Sequence, residues 1–342
     1  MTSEKARLLA KHAKRMRELR RRPTCLAQGE CRGVIGMSHT VSESMSLSYL
    51  AEDQHVLVRT VNLFSKTEAN VLPLTKLSIH EALAFPGFCN YHDTVLFNSL
   101  DNSQFLATPE QLFMQAYRCA CREYYFKAAQ VDNFPNASHP AELQGQANPE
   151  EYGLHPDMEI IRLAMNRGLL DVAAHKEKFE NLLVDGAYRR LQSYIIHTNS
   201  APIIACAGSF APDFNSNGDP LQNFTDFDKD LESIFVSIIP NRSGAFVVLS
   251  FFDDATVSPT KFIKDLIANG NLTHRIVWMC MTRIENLAIR PSWWNGLSEK
   301  TRAKLNEAIN YNADLFDGRL ATFDRMPHLE IVDWVVCHQF WN

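Results

Sequence analysis

Two short stretches concentrate the metal-binding chemistry of this sequence: Cys25-Leu-Ala-Gln-Gly-Glu-Cys31, which continues through Arg32-Gly-Val-Ile-Gly-Met-Ser-His39, and Gly87-Phe-Cys-Asn-Tyr-His-Asp93. Thiolate and imidazole are ligands that zinc prefers, and four of them close its tetrahedron. The sequence therefore predicts a zinc site with the ligands Cys25, Cys31, Cys89 and His92. His39 is either a substitute ligand or a functional residue beside the metal. The alternative is a set of scattered residues that share no ion.

The spacing within each pair predicts the local structure. Five residues separate Cys25 from Cys31, where zinc ligands commonly have two to four between them, and the nearby glycines suit a knuckle-like turn. Cys89 and His92 have two residues between them, as the first turn of a helix would supply. A knuckle followed by a ligand pair at a helix start is a treble-clef arrangement. Between the pairs we expect a short helix at 41–50 and strands at 54–61 and about 68–74.

A basic segment precedes the knuckle. Residues 1–22 hold nine Lys or Arg against two Glu, a net charge of +7, and the remaining residues carry −12. Apolar residues at helical spacing predict one helix over 3–22, which Pro23 ends. Such a helix would either lie on a phosphate backbone or pack its leucines on the acidic body. The candidate nucleic-acid contacts are Lys11, Lys14, Arg15, Arg17, Arg20, Arg21 and Arg22.

Composition places the chain among folded, non-secreted proteins. The 342 residues are 46% hydrophobic and 21% charged, which is ordinary for a globular protein of two domains, or of one large domain with an appendage. No apolar run approaches the ~18 residues of a membrane span, and the charged start lacks a signal core. Eight cysteines fit a reducing cytoplasm better than a disulfide framework. We therefore expect a cytoplasmic protein without membrane contact.

The rest of the chain reads as an α+β body. Thr108-Pro109-Glu110 is a strong helix start, so residues 106–135 form a connecting helix in which Cys119 and Cys121 belong to the core. Arg118, Arg122 and Glu123 are expected at its surface or as packing partners. A proline-rich polar segment at 136–156 is the linker to an α+β domain over 157–342, with a mixed sheet. Its expected helices are long helices within 157–198, with Gly168 and Gly186 as candidate breaks, and single helices at 258–269, 298–314 and 328–338. Its expected strands are 203–207, 234–239, 245–252 and 275–281, and Pro240-Asn-Arg-Ser-Gly244 is expected to join the middle two as a hairpin.

Other catalytic and binding motifs are excluded. Asp213-Phe-Asn-Ser-Asn-Gly-Asp219 opens like a calcium loop, but its twelfth position is Phe224 rather than glutamate, so a hydrogen-bonded turn is favoured. The sequence contains no Walker loop, Gly-X-Gly-X-X-Gly, His-Glu-X-X-His or Gly-X-Ser-X-Gly. These absences argue against a nucleotide-binding loop, a zinc protease and a serine hydrolase.

Residues 25–100 resemble a known family. A cysteine pair, a strand that carries histidine and a second Cys/His pair that opens a helix are the order of zinc-stabilised HNH endonucleases. The Ser38-His39-Thr40 and Gly87-to-Asp93 segments are also similar to treble-clef domains of uncharacterised bacterial proteins. The resemblance implies His39 as general base and Asp93 as ligand of a catalytic Mg²⁺ or Mn²⁺ ion. Ser38 stands where the family has an acid, and Asp93 where it has a histidine or asparagine.

These observations lead to two functional hypotheses. The first is a zinc-binding, nucleic-acid-associated protein with an HNH-like lobe at 24–105, acting as an endonuclease in bacterial defence or mobile-element biology. The second is a non-enzymatic zinc-stabilised adaptor whose acidic body contacts another protein. The position of His39 discriminates between them, because a histidine that ligates zinc cannot serve as a free base.

Overall fold

Ten strands are found in the computed structural model, which describes residues 23–59, 74–133, 158–224, 226, 229–268, 270–311, 332 and 334–342. The strands are β1 (Ile35–His39), β2 (His55–Arg59), β3 (Leu74–Ser78), β4 (Ala84–Cys89), β5 (Leu191–Thr198), β6 (Ile204–Phe210), β7 (Ile234–Asn241), β8 (Gly244–Phe252), β9 (Leu287–Ile289) and β10 (Val336–Trp341). Eight of them form one sheet in the order β10-β5-β8-β7-β6-β9-β2-β3, and β1 pairs with β4 in a small separate sheet.

The helices pack on both faces of the large sheet. They are α1 (Asn90–Leu96), α2 (Asn98–Asp101), α3 (Pro109–Asn133), α4 (Met158–Val184), α5 (Val257–Ala268), α6 (Leu272–Arg283), α7 (Pro291–Gly296) and α8 (Glu299–Tyr311). A π-helical turn at Glu43–Leu47 runs into a helical turn at Ser48–Leu50, where the sequence predicts a short helix. The α+β class is confirmed.

The central strands are buried on both sides, which explains their continuous apolar sequences. Along β5 and β7, Ile196 and Val236 belong to a core covered by α5, α6 and α8, whereas Ile195 and Phe235 belong to a core covered by α3 and α4. Successive side chains of a strand point to opposite faces, so two covered faces require apolar residues at nearly every position.

The β7–β8 hairpin is confirmed. Two residues, Arg242 and Ser243, link the strands, and the Asn241 side chain accepts a hydrogen bond from the Ser243 amide. Gly244 begins β8 at a place where a Cβ atom would lie 1.8 Å from the Thr198 carbonyl oxygen. Glycine is therefore required there for β8 to approach the end of β5.

The start of α3 is also confirmed, but its environment is more enclosed than expected. Thr108 accepts a hydrogen bond from the Gln111 amide and caps the helix, and Cys119 and Cys121 are buried as predicted. Arg118 is fully buried and pairs with Asp101 through both guanidinium ends, so it is a packing partner and not a surface residue.

Several predicted elements are wrong. Within the region 157–198 a helix does end at Val184, next to the expected break at Gly186 (φ +61°), but residues 191–198, predicted as helix, form β5. The strand predicted at 275–281 lies inside α6, because a short apolar run with both faces buried does not distinguish a strand from a helix. Residues 336–341 are strand β10 rather than helix. All described strand pairs are antiparallel, so the sheet is not mixed.

The segment predicted as a zinc lobe is continuous with the body. Its strands β2 and β3 extend the large sheet, since β2 pairs with β9. The predicted basic helix at 1–22, the linker at 136–156 and nearly all of the strand at 68–74 lie outside the described residues. Within the described part, no helix has both the length and the apolar character to cross a membrane.

Substitution of two buried arginines is expected to change the stability of the protein in opposite directions. Arg59 is 7% exposed, burial lowers its pKa, and none of its three guanidinium nitrogens has a hydrogen-bond partner among the described residues. Because methionine fills similar space without needing hydrogen bonds, we expect Arg59→Met to raise the free energy of unfolding by about 1–3 kcal/mol in urea denaturation.

The matched control is Arg118→Met, which would leave the half-buried Asp101 carboxylate without its partner. We expect this variant to lower the free energy of unfolding by about 3 kcal/mol. Equal destabilisation by both substitutions would contradict the distinction between a buried arginine that lacks hydrogen bonds and one that is hydrogen-bonded to a carboxylate.

Candidate metal centre

The first ligand pair lies on a loop that is hydrogen-bonded to the middle of β4. The Thr24 amide donates to the Pro86 carbonyl oxygen at 3.2 Å, and the Leu26 amide donates to that of Gly87 at 2.8 Å. Gly29, between the two cysteines, has a φ of +94°, a conformation that side chains resist. The backbone thus turns Cys25 and Cys31 back toward one another and toward β4.

The second pair lies where β4 passes into α1. Cys89 is the last residue of β4 and the N-cap of α1, and His92 falls in the first helical turn, as the spacing predicts. The Asn90 amide donates to the Val34 carbonyl oxygen at 2.9 Å, which holds the start of α1 against the chain that follows the knuckle. The side chains of Cys89 and His92 are both buried.

The two pairs converge on one point. The Sγ atoms of Cys25, Cys31 and Cys89 and a ring nitrogen of His92 all lie within 4.8 Å of one another. Two of the distances are 3.3 Å from Cys25 Sγ to His92 Nδ1 and 3.4 Å from Cys89 Sγ to the same atom. Ligand atoms at ~2.0–2.3 Å from a tetrahedral zinc ion lie roughly 3.5–3.8 Å apart. The group therefore fits a metal ion, and its donor set suits zinc.

The electrostatics of the thiols favour a cation. A hydrogen bond with Cys25, followed by burial and the charges of Cys25 and Cys89, raises the pKa of Cys31 to about 11. Burial opposes ionisation of Cys89, but its sulfur accepts hydrogen bonds from backbone amides, including that of His92, and the net shift of its pKa is downward. Three thiolates this close repel one another, and a divalent ion at their centre would remove that repulsion.

His39 lies apart from these four residues. In the β1–β4 pair, Ile35 is opposite Cys89, whereas His39 is opposite Ala84 at the other end. Four residues of strand span ~13 Å, so His39 is too far along β1 to share the ion. Its Nε2 atom lies 2.8 Å from the Ile79 carbonyl oxygen and 3.5 Å from Glu43 Oε2. His39 therefore does not replace any of the four residues of the ligand group.

Asp93 is engaged by other side chains. Ser38 Oγ donates to Asp93 Oδ1 at 2.5 Å, and the guanidinium of the buried Arg118 lies 3.6 Å from the same oxygen. Ser38 and His39 are neighbours on β1 and point to opposite faces of the strand. Asp93, which contacts Ser38, is thus on the other side of β1 from the His39 contacts. The structure does not bring these two predicted catalytic residues together.

Sequence reasoning missed the residues that surround the two predicted catalytic side chains. Glu43 bridges two histidines, since its other carboxylate oxygen lies 2.7 Å from His80 Nδ1. Arg118 belongs to a stripe of polar residues on α3 at helical spacing, together with Gln111 and Gln115, and all three are buried. That spacing was the available signal for a buried polar stripe, although it could not identify the partners.

The remaining predicted residues have simpler positions. The basic residues proposed for nucleic-acid contact all lie in 1–22, outside the described part of the chain. The loop at 213–219 is the expected hydrogen-bonded turn: Asn215 Oδ1 accepts from the amides of Asn217 and Asp219, and Gly218 has a φ of +82°.

Comparison of the chain with protein-family models, with curated proteins and with solved structures returns no match. Among these findings, the geometry of the cysteine and histidine group is the one that bears on function.

We expect purified protein to contain about one zinc ion per chain by elemental analysis. Cys89→Ser should reduce this content about tenfold or more and lower the melting temperature, because metal binding contributes to folding free energy. Cys337→Ser is the control, since Cys337 is an exposed thiol on β10 outside the ligand group. Zinc content near zero in the wild type, or equal content in both variants, would contradict the site.

Proposed function

We propose that this protein is a zinc-stabilised, nucleic-acid-associated protein in which the metal has a structural role. The convergence of Cys25, Cys31, Cys89 and His92 is the observation that carries the proposal. Four protein ligands complete the tetrahedron of zinc, whereas catalytic zinc sites usually keep one position for water or substrate. The donor set therefore favours a structural ion.

The order of elements around the group supports a treble-clef-like lobe. A glycine-containing knuckle supplies one ligand pair, β1 and β4 form an antiparallel two-stranded sheet, and α1 begins with the second pair. Zinc would tie the knuckle to the helix, where the knuckle itself is largely exposed and has little apolar surface to bury.

Charge and exposed side chains near the metal group support a nucleic-acid ligand. The segment 1–22, with a net charge of +7, joins the lobe next to Thr24, which is hydrogen-bonded to Pro86. On the lobe, the exposed Arg32 guanidinium lies 5.2 Å from the centre of the Tyr91 ring, which is 41% exposed. Cations neutralise phosphates, and exposed aromatic rings stack on bases.

HNH-like hydrolysis with Mg²⁺ or Mn²⁺, in bacterial defence or mobile-element biology, is a second candidate. It is favoured by the position of His39 on β1, where Glu43 would orient the imidazole as an acid orients a general base. The engagement of Asp93 by Ser38 and Arg118 weighs against it, because a metal-binding carboxylate needs free oxygen atoms. We therefore place binding ahead of catalysis.

Binding is tested by fluorescence anisotropy with labelled DNA and RNA, single- and double-stranded, over a range of salt concentrations. We expect affinity to fall as salt rises. The triple variant Arg20→Ala, Arg21→Ala, Arg22→Ala should reduce the slope of log K against log salt by about 2–3 on duplex DNA, at ~0.9 per phosphate contact. The triple variant Lys300→Ala, Arg302→Ala, Lys304→Ala, on α8, is the matched control for removal of three positive charges. No binding at low salt would favour the adaptor hypothesis instead.

Cleavage is tested separately, with plasmid DNA and Mg²⁺ or Mn²⁺. If the zinc ion has only a structural role, we expect the plasmid to remain intact. If cleavage occurs, His39→Ala decides the role of His39: loss of activity in a folded variant would support a general base. Undiminished cleavage by that variant would exclude His39 from the reaction.

A further inference from the structure

Strand β10 forms an open edge of the large sheet. It pairs with β5, and no other described strand lies beside it. Phe340 and Trp341 are each 45% exposed, and Val335, just before the strand, is 57% exposed. Trp341 packs one side of its ring near Tyr194, at 4.8 Å between centroids, and leaves much of the remainder open. An edge strand with large exposed apolar side chains is a template for strand pairing.

The two edges of the sheet differ in their protection. The opposite edge strand, β3, carries the exposed Lys76 at its centre, and a charged residue of this kind discourages pairing between sheets. Residues 335–342 contain no Lys, Arg, Asp or Glu. Among the described residues, the one protective feature of β10 is a bulge between Val336 and His338, which leaves residues 338–341 in regular register. A charged residue therefore protects the β3 edge from pairing with another sheet, whereas the β10 edge carries no such residue.

The hydrogen-bonding groups of this regular part can be assigned. The Asn342 amide donates to the Ser193 carbonyl oxygen of β5 at 2.9 Å. In an antiparallel ladder, alternate residues direct their amide and carbonyl groups to the same neighbour. Phe340 therefore bonds to β5 as Asn342 does, whereas Gln339 and Trp341 direct their N–H and C=O groups away from it. Those groups have no partner among the described residues.

We propose that two copies of this chain associate through their β10 strands, which pair antiparallel about a twofold axis and join the two sheets into one. Self-pairing is favoured by charge, because two uncharged strands meet without repulsion although each chain carries a net charge of −5. A twofold axis makes the same strand face itself in the antiparallel sense. This interface is independent of the metal group and of any nucleic-acid ligand.

One register between the two β10 strands pairs all the outward N–H and C=O groups of Gln339 and Trp341. With the axis at Phe340, Gln339 of each copy lies opposite Trp341 of the other, and all four residues exchange hydrogen bonds across the interface. Phe340 then faces its own counterpart in a non-hydrogen-bonded pair, where Cα atoms lie ~4.5 Å apart and aromatic side chains pack closely. Both apolar side chains of the edge become covered.

The test is sedimentation equilibrium of the full chain with zinc present, comparing two variants of one residue. Gln339→Pro removes an outward N–H and leaves the ladder to β5 intact, since proline is tolerated at that kind of edge position. Gln339→Ala keeps the N–H but loses the 2.8 Å hydrogen bond from the Tyr194 hydroxyl. We expect a dimer for the wild type and for Gln339→Ala, and a dissociation constant raised about tenfold or more for Gln339→Pro.

A second pair of variants tests the register. Phe340→Lys would place two like charges directly opposite at the axis and should abolish the dimer, whereas Phe340→Leu should keep it. Circular dichroism confirms that each variant is folded. A wild-type chain that stays monomeric would overturn the proposal, as would a Gln339→Pro chain that dimerises as tightly as the wild type. A monomer that binds a different protein through β10 would overturn it as well.

Discussion

The burial of α3 is the constraint on which the rest of the structure depends. The helix is enclosed by α4, by the large sheet and by β4, so its polar side chains must find partners inside the protein. Gln111 donates to the Ser99 and Gln104 carbonyl oxygens, and Gln115 donates to the carbonyl oxygen of Thr40 and to Ser237. Each contact fixes a loop, a strand or the short helix α2 to the same helix.

This polar stripe also determines how the lobe that carries the cysteine and histidine group meets the body. Arg118 holds Asp101, which ends α2, and approaches Asp93 in α1, while its guanidinium lies 3.9 Å from the centre of the Phe97 ring. A buried guanidinium is tolerable only with such compensation, because its desolvation is costly. The position of α1, and with it His92, therefore follows from a residue outside the ligand group.

The positions of residues that are close in sequence could be predicted, whereas contacts between residues far apart in sequence could not. Cys89 and His92 were predictable because one helical turn fixes their separation, and the start of α3 because Thr108 and Pro109 are a capping pair. The strand predicted at 275–281 is instead part of α6, because a short run of apolar residues is equally compatible with a buried strand and with a buried helix. The pairing of Arg118 with Asp101 depends on where two helices meet, and no spacing rule contains that information.

Zinc and α3 would therefore stabilise different parts of the lobe. The contacts of Gln115 and Arg118 hold the regions around Thr40 and Asp101 by buried hydrogen bonds, whatever occupies the metal group. Residues 28–33 of the knuckle are exposed and contribute no side chain to the apolar cores. A loop without a core needs another source of ordering, and bonds from Cys25 and Cys31 to an ion shared with α1 would supply it. An ion held in this way would order the loop equally well for binding and for catalysis.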